Sequence, residues 1–128
     1  MSLELKPQKL SRESFASFGE VIETNDAERL IINEGTTERF HDLANIDVAN
    51  ENGKPLINIF RGSPRPRPIE IKMMERHPLS SQAFIPLQNK PYLIVVAPIG
   101  GSVGPEDLQA FEAEGHQGVN YQRALWHH

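Results

Sequence analysis

The sequence contains no cysteine. That excludes disulfide scaffolds, thiolate metal sites and cysteine nucleophiles, and it is compatible with a reducing cytoplasm, the location expected for this chain. Long apolar runs are missing as well. No stretch approaches the roughly 20 residues needed to span a bilayer, and Met1 to Glu20 lacks the apolar core of a signal peptide. Nor is there an excess of positive charge. Thirteen Lys and Arg stand against 17 Asp and Glu, a formal charge of −4, so no diffuse positive field exists to hold a nucleic-acid backbone or an anionic membrane. A chain of 128 residues fits one domain, and any active site must lie inside or at the mouth of that unit.

What the sequence does contain is punctuation. Ten prolines and nine glycines divide it into short apolar runs, a texture that favours an all-β sandwich or barrel over a helical bundle. Strands are expected at Glu20 to Glu23, Leu30 to Asn33, Thr37 to Leu43, Pro55 to Arg61, Pro68 to Arg76, Gln82 to Leu87, Tyr92 to Ala97 and Val119 to His128. Such a set suits a double-sheet barrel. Two short peripheral helices are expected: Ser11 to Phe18, with Ser11 as N-cap and Gly19 as the stop, and a second from Pro105 to Glu114, with Glu106 and Asp107 in its first turn and Gly115 as its end. The proline-alternating run Ser63 to Pro68 reads as an extended bridge between two strands.

In Pro68 to His77 the strand period of two places Ile69, Ile71 and Met73 on one face, and the same parity continues to Glu75 and His77. An apolar row thus ends in a carboxylate and an imidazole. If that row faces a barrel interior, the two groups are costly to bury unless they bond each other, a metal or a ligand. A bulge at Met73-Met74 would instead turn Glu75 out to solvent. The spacing Glu75-x-His77-x4-Gln82 is similar to the first metal-binding motif of cupin barrels, with Glu at the first His position and Gln at the Glu position. Near the end, Gly118 to His128 supplies a glycine, an aromatic pair and two histidines where the second cupin motif places its ligand.

Taken together, Phe18-Gly19-Glu20-Val21-Ile22-Glu23, Asn33 through Ala44, Glu75-Arg76-His77-Pro78-Leu79 with Gln82 through Leu87, and Gly118-Val119-Asn120-Tyr121 through Trp126-His127-His128 closely resemble the ureidoglycolate lyase family. The match is ordered and covers nearly the whole chain. The resemblance implies a cupin-like β-barrel, usually a homodimer, that acts as a carbon–nitrogen lyase. Its reaction splits ureidoglycolate into glyoxylate and urea in allantoin and purine degradation. Family members run on past the Trp-His-His segment through further strands. A barrel of this chain alone is therefore expected to carry an open edge.

Ureidoglycolate is a carbinolamide, so its cleavage needs a base for the hydroxyl proton, a donor for the urea leaving group and a cation for the carboxylate. Glu75 or His77 supplies the base. For the cation, Arg61 closes the alternating row Ile57, Ile59, Arg61, with Arg39 as second choice; a guanidinium fork matches a carboxylate in two parallel bonds. Gln82 is placed to bond the urea group, and Tyr121 and His41 are further candidates to line the pocket. His127 and His128 point to opposite faces if they share one strand, and parity does not choose between them. His77, Glu75 and one terminal histidine, with His127 taken as that residue, form a mixed nitrogen and oxygen set suited to a divalent metal, Zn or Ni. The resemblance implies an ion that assists turnover without being obligatory. Two other readings stand beside the lyase: a cupin-like module that binds a small carboxylate without turnover, and another cupin enzyme, which Gln82 in the ligand Glu position disfavours.

Overall fold

The run Tyr92-Leu93-Ile94-Val95-Val96-Ala97 is rich in β-branched residues that fit a pleated, covered surface, and it forms the strand on which one sheet is assembled. The computed structural model describes residues 3–128. Among them are nine short strands and one α-helix: β1 (Gln8–Lys9), α1 (Arg12–Phe15), β2 (Gly19–Ile22), β3 (Glu28–Ile32), β4 (Thr37–His41), β5 (Gln82–Phe84), β6 (Tyr92–Ala97), β7 (Gln109–Ala113), β8 (Gly118–Tyr121) and β9 (Trp126–His127). A four-stranded sheet runs β1-β7-β6-β9, a three-stranded sheet runs β2-β8-β5, and β3 and β4 pair as a separate hairpin. This is the expected all-β, cupin-like arrangement with few short helices.

The core lies between the two larger sheets. Phe15 and Phe18 come from α1 and the turn after it, Phe111 from β7 and Tyr121 from β8. Phe111 meets Phe15 edge-on at 5.3 Å and Phe18 at 5.8 Å between ring centroids, the geometry that aromatic quadrupoles favour. Helix α1 is set by a reciprocal cap: the Ser14 amide donates to the Ser11 hydroxyl at 3.1 Å, and the Ser11 amide donates to the Ser14 hydroxyl at 3.0 Å. Strand β2 must open on glycine, because a Cβ at Gly19 would lie 2.0 Å from the Asn120 carbonyl oxygen. This close backbone approach fixes β2 against β8, where Gly19 pairs with Tyr121.

Five expected elements need correction. The second helix is absent: Pro105–Asp107 make one 3₁₀ turn, and the chain then enters β7. Ala110, Phe111 and Ala113 are all buried there while Gln109 and Glu112 are exposed, so pairing between β1 and β6 with burial in the core overrides the local helix-start signals. Pro55 to Arg61 and Pro68 to Arg76 form no strands beyond an isolated bridge at Glu75. Among the described residues, 54–74 make no backbone–backbone hydrogen bond, and Leu56, Ile57, Ile59 and Phe60 are 76, 95, 68 and 71% exposed. Gln82 to Leu87 is strand only as far as Phe84; Pro86, close behind, has no amide to offer a partner. Finally, Val119 to His128 is interrupted between β8 and β9 by a turn in which the Leu125 amide donates to the Gln122 carbonyl at 3.2 Å and Ala124 has φ 66°.

Candidate active site

The site begins with two backbone hydrogen bonds. Glu75 and His127 face each other in an isolated antiparallel bridge; the Glu75 amide donates to the His127 carbonyl at 2.8 Å, and the His127 amide donates to the Glu75 carbonyl at 2.9 Å. Directly opposed residues of such a pair project to the same face, and the period of two brings His77 to that face as well. The His77 carbonyl accepts from the Ala124 amide at 3.0 Å, which ties the end of this segment to the turn leading into β9. One ligand atom from each of Glu75, His77 and His127 lies within 4.8 Å of the others.

Aromatic rings continue the wall. The His77 and His127 rings are 5.2 Å apart, Tyr121 lies 4.9 Å from His127, Phe84 lies 5.5 Å from Tyr121, and Phe60 lies 6.2 Å from Phe84, all between centroids. Gln82 sits opposite Tyr121 in the β5–β8 ladder. Burial rises across the cluster, from exposed Glu75 through half-buried His77 to His127 at 4% exposure. Of the four buried side-chain polar atoms without a partner among the described residues, two belong here: Oε1 of Gln82 and Nε2 of His127. Leaving such atoms unpaired is costly, so both are available to a ligand. A buried imidazole nitrogen without a partner, beside a second imidazole and a carboxylate, fits a divalent metal with mixed nitrogen and oxygen ligation.

Burial holds the His127 imidazole below its ordinary value of 6.5; His77 adds to that shift and the Glu75 carboxylate opposes it. Burial, and to a lesser degree Tyr92, pushes the Tyr121 phenol well up, so it remains a hydroxyl donor. The His127 shift has a consequence for stability. The unfolded chain, with its ordinary imidazole, takes up the proton first, so this contribution is whole above 6.5 and is lost as pH falls from there toward the lower folded-state value. Urea midpoints measured from about pH 8 down to about pH 5 are expected to fall with acid, and His127→Gln to flatten that fall. An identical pH profile in the variant would remove His127 as the cause.

The other sequence candidates are not among the three residues of this cluster. Arg61 is exposed on the extended segment, next to Phe60. Arg39 and His41 are on β4 of the hairpin; Arg39 is exposed, and His41 shares a shallow cavity of about 260 Å³ with Arg12, Asp26 and Asp42. His128, the alternative to His127, is exposed, and its Nδ1 is 3.0 Å from the Met73 carbonyl oxygen. Two features escaped sequence reasoning. Phe84 shares the parity of Gln82 on β5, a signal that was available. The brace in which Arg123 donates to Asp47 at 2.6 Å, while the Ser81 amide donates to the Asp47 carbonyl at 2.8 Å, joins three distant segments and has no local signature.

Comparison with known proteins identifies the family of the chain. A family model described as ureidoglycolate lyase matches residues 2–128. The ureidoglycolate lyase of Burkholderia mallei (strain NCTC 10229) is 55% identical over 127 residues, covering 99% of this chain and 73% of that protein. That of Brucella anthropi is 54% identical over 121 residues, covering 94% and 71%. The enzyme of Burkholderia cepacia is 54% identical over 125 residues, covering 97% and 70%. With a family model matching residues 2 to 128 and a relative 55% identical over 127 residues, the chain belongs to the ureidoglycolate lyase family.

Proposed function

We propose that this protein cleaves ureidoglycolate to glyoxylate and urea at the Glu75–His77–His127 cluster, as a carbon–nitrogen lyase of allantoin and purine degradation in the cytoplasm. The observation that carries the reading is the convergence of two imidazoles and a carboxylate within 4.8 Å in a chain 55% identical to a ureidoglycolate lyase. In the reaction the carbinol O–H proton passes to a base, the carbon–oxygen double bond forms, and the carbon–nitrogen electron pair leaves with urea and is protonated there. His77 is the base, with the Glu75 carboxylate beside it to hold the imidazolium. His127, kept neutral by burial, offers a ring N–H towards the departing nitrogen. Gln82, whose Oε1 is unpartnered, accepts from the urea N–H groups, and the Tyr121 hydroxyl completes the polar lining.

The substrate carboxylate falls to Arg61, which follows Phe60 at the end of the aromatic row, with Arg39 as the alternative. A divalent ion, Zn or Ni, held by Glu75, His77 and His127 would polarise the substrate hydroxyl or anchor its carboxylate. An imidazole nitrogen that binds a metal has no lone pair left for a proton, so in the ion-free site His77 takes the carbinol proton and, as the imidazolium so formed, returns it to the departing urea nitrogen, to which neutral His127 donates a hydrogen bond. The apolar side chains of Leu56, Ile57, Ile59 and Phe60 support a homodimer in which a second copy covers this segment.

A direct assay tests the reading. Purified protein is incubated with ureidoglycolate, with and without added Zn²⁺ or Ni²⁺, and glyoxylate release is followed. Catalytic release of glyoxylate is the expected result. Glyoxylate binding without release under any of these conditions would refute the lyase and leave a small-carboxylate-binding module.

A further inference from the structure

We propose that Arg76 is a positioning residue, which sets the spacing of the Glu75–His77–His127 cluster from the opposite face of the bridge by clamping Trp126. The proposal rests on the lyase reading of that cluster. Because Glu75 faces His127, the next register position sets Arg76 against Trp126. In an antiparallel pair this is the closer, non-hydrogen-bonded position, and its side chains lie on the face opposite the cluster. The Arg76 guanidinium carbon lies 4.7 Å from the centroid of the Trp126 ring, a cation–π contact. Both side chains also donate to one acceptor: Arg76 reaches the Gly100 carbonyl at 2.7 Å, and the Trp126 indole N–H reaches it at 3.0 Å. Gly100 lies just beyond β6, whose Val96 and Ala97 pair with His127 and Trp126. The clamp therefore joins the segment carrying Glu75 and His77, the strand carrying His127, and the loop beyond β6.

Little else holds that segment in place. Residues 54–74 make no backbone–backbone hydrogen bond among the described residues. The segment is held by the Glu75 bridge, by the contact of His128 with the Met73 carbonyl and, two residues beyond the bridge, by the Ala124 amide on the His77 carbonyl. These bonds fix the backbone at Glu75 and at His77. The Arg76–Trp126 stack lies between those two positions and ties them to the loop beyond β6. Among the described residues Arg76 makes no ion pair; its charge is used on the ring and the carbonyl. Catalytic geometry is sensitive to such a support, since a displacement of about 1 Å at the reacting groups costs on the order of 10² in rate.

The experiment uses the whole chain with ureidoglycolate, and Arg29→Ala, which removes an exposed ion pair with Glu38 on the hairpin, as control. Arg76→Ala is expected to lower kcat by about ten- to a hundredfold with KM within about twofold. It should also move the imidazole ¹⁵N–¹H resonances of His77 and His127 while the melting temperature stays close to that of the parent. Arg76→Lys keeps a cation and a donor and is expected to recover much of the lost kcat. Three results would overturn the proposal: unmoved imidazole resonances, kcat in Arg76→Ala within about twofold of the parent, or a loss that follows melting temperature and is not recovered by lysine. If the parent itself releases no glyoxylate, the lyase reading fails. The clamp is then judged on the imidazole resonances alone.

Discussion

His77→Ala is expected to lower kcat for ureidoglycolate cleavage by about 10²–10⁴-fold, the usual contribution of a positioned acid–base group. By rate arithmetic this is roughly 3–5 kcal/mol of barrier. The fold should survive, because the structural bonds at this position use the backbone: the His77 carbonyl accepts from Ala124, and the neighbouring bridge is made by Glu75 and His127 main-chain groups. The imidazole is half-buried, with one face towards His127, so its removal opens the site without emptying the core. The check is kcat and KM together with the melting temperature. Turnover within a few-fold of the parent, in a folded variant, would take the base role from His77 and leave Glu75 to be tested.

Phe111→Ala is expected to do the opposite, costing about 3–5 kcal/mol of folding stability, the range for truncating a buried phenylalanine. Phe111 is fully buried and meets Phe15 at 5.3 Å and Phe18 at 5.8 Å. The hole would therefore sit where β7, α1 and the turn before β2 converge. Small domains are stable by only about 5–15 kcal/mol, so the loss is a large part of the total. Urea unfolding should show a lower midpoint with an unchanged slope. A cost below about 1 kcal/mol would mean that the cavity collapses and that the aromatic cluster is not the keystone of the core. Comparing the two variants separates residues that serve the reaction from residues that hold the fold.

Much of this molecule was legible in the order of its amino acids. The Tyr92 to Ala97 strand, the Ser11 cap and the all-β texture follow from local preferences: β-branched runs, a hydroxyl that satisfies a free amide, and frequent proline and glycine. The Glu75-x-His77 pairing on one face followed from strand parity. Most of the segment around the pair is not strand, and Met73 and Glu75 are exposed rather than turned to a barrel interior, but the Glu75 bridge keeps that stretch locally extended.

Where local signals competed with long-range pairing, the pairing won. Gly104-Pro105-Glu106-Asp107 carries the marks of a helix start, yet pairing between β1 and β6 and burial of Phe111 against Phe15 and Phe18 make Gln109–Ala113 a strand. Pro55 to Arg61 alternates like a strand but has no partner strand among the described residues, and strand period alone cannot supply one. The choice of His127 over His128, the meeting of His127 with Glu75, and the Arg76–Trp126–Gly100 clamp were likewise decided only by tertiary structure. Residue order by itself determined which chemical groups the protein carries and which of them share a face over a few residues, since backbone period acts locally. Which groups meet depends on how distant strands register against one another, and that is set by the joint burial of Phe15, Phe111 and Tyr121 rather than by any one stretch of chain.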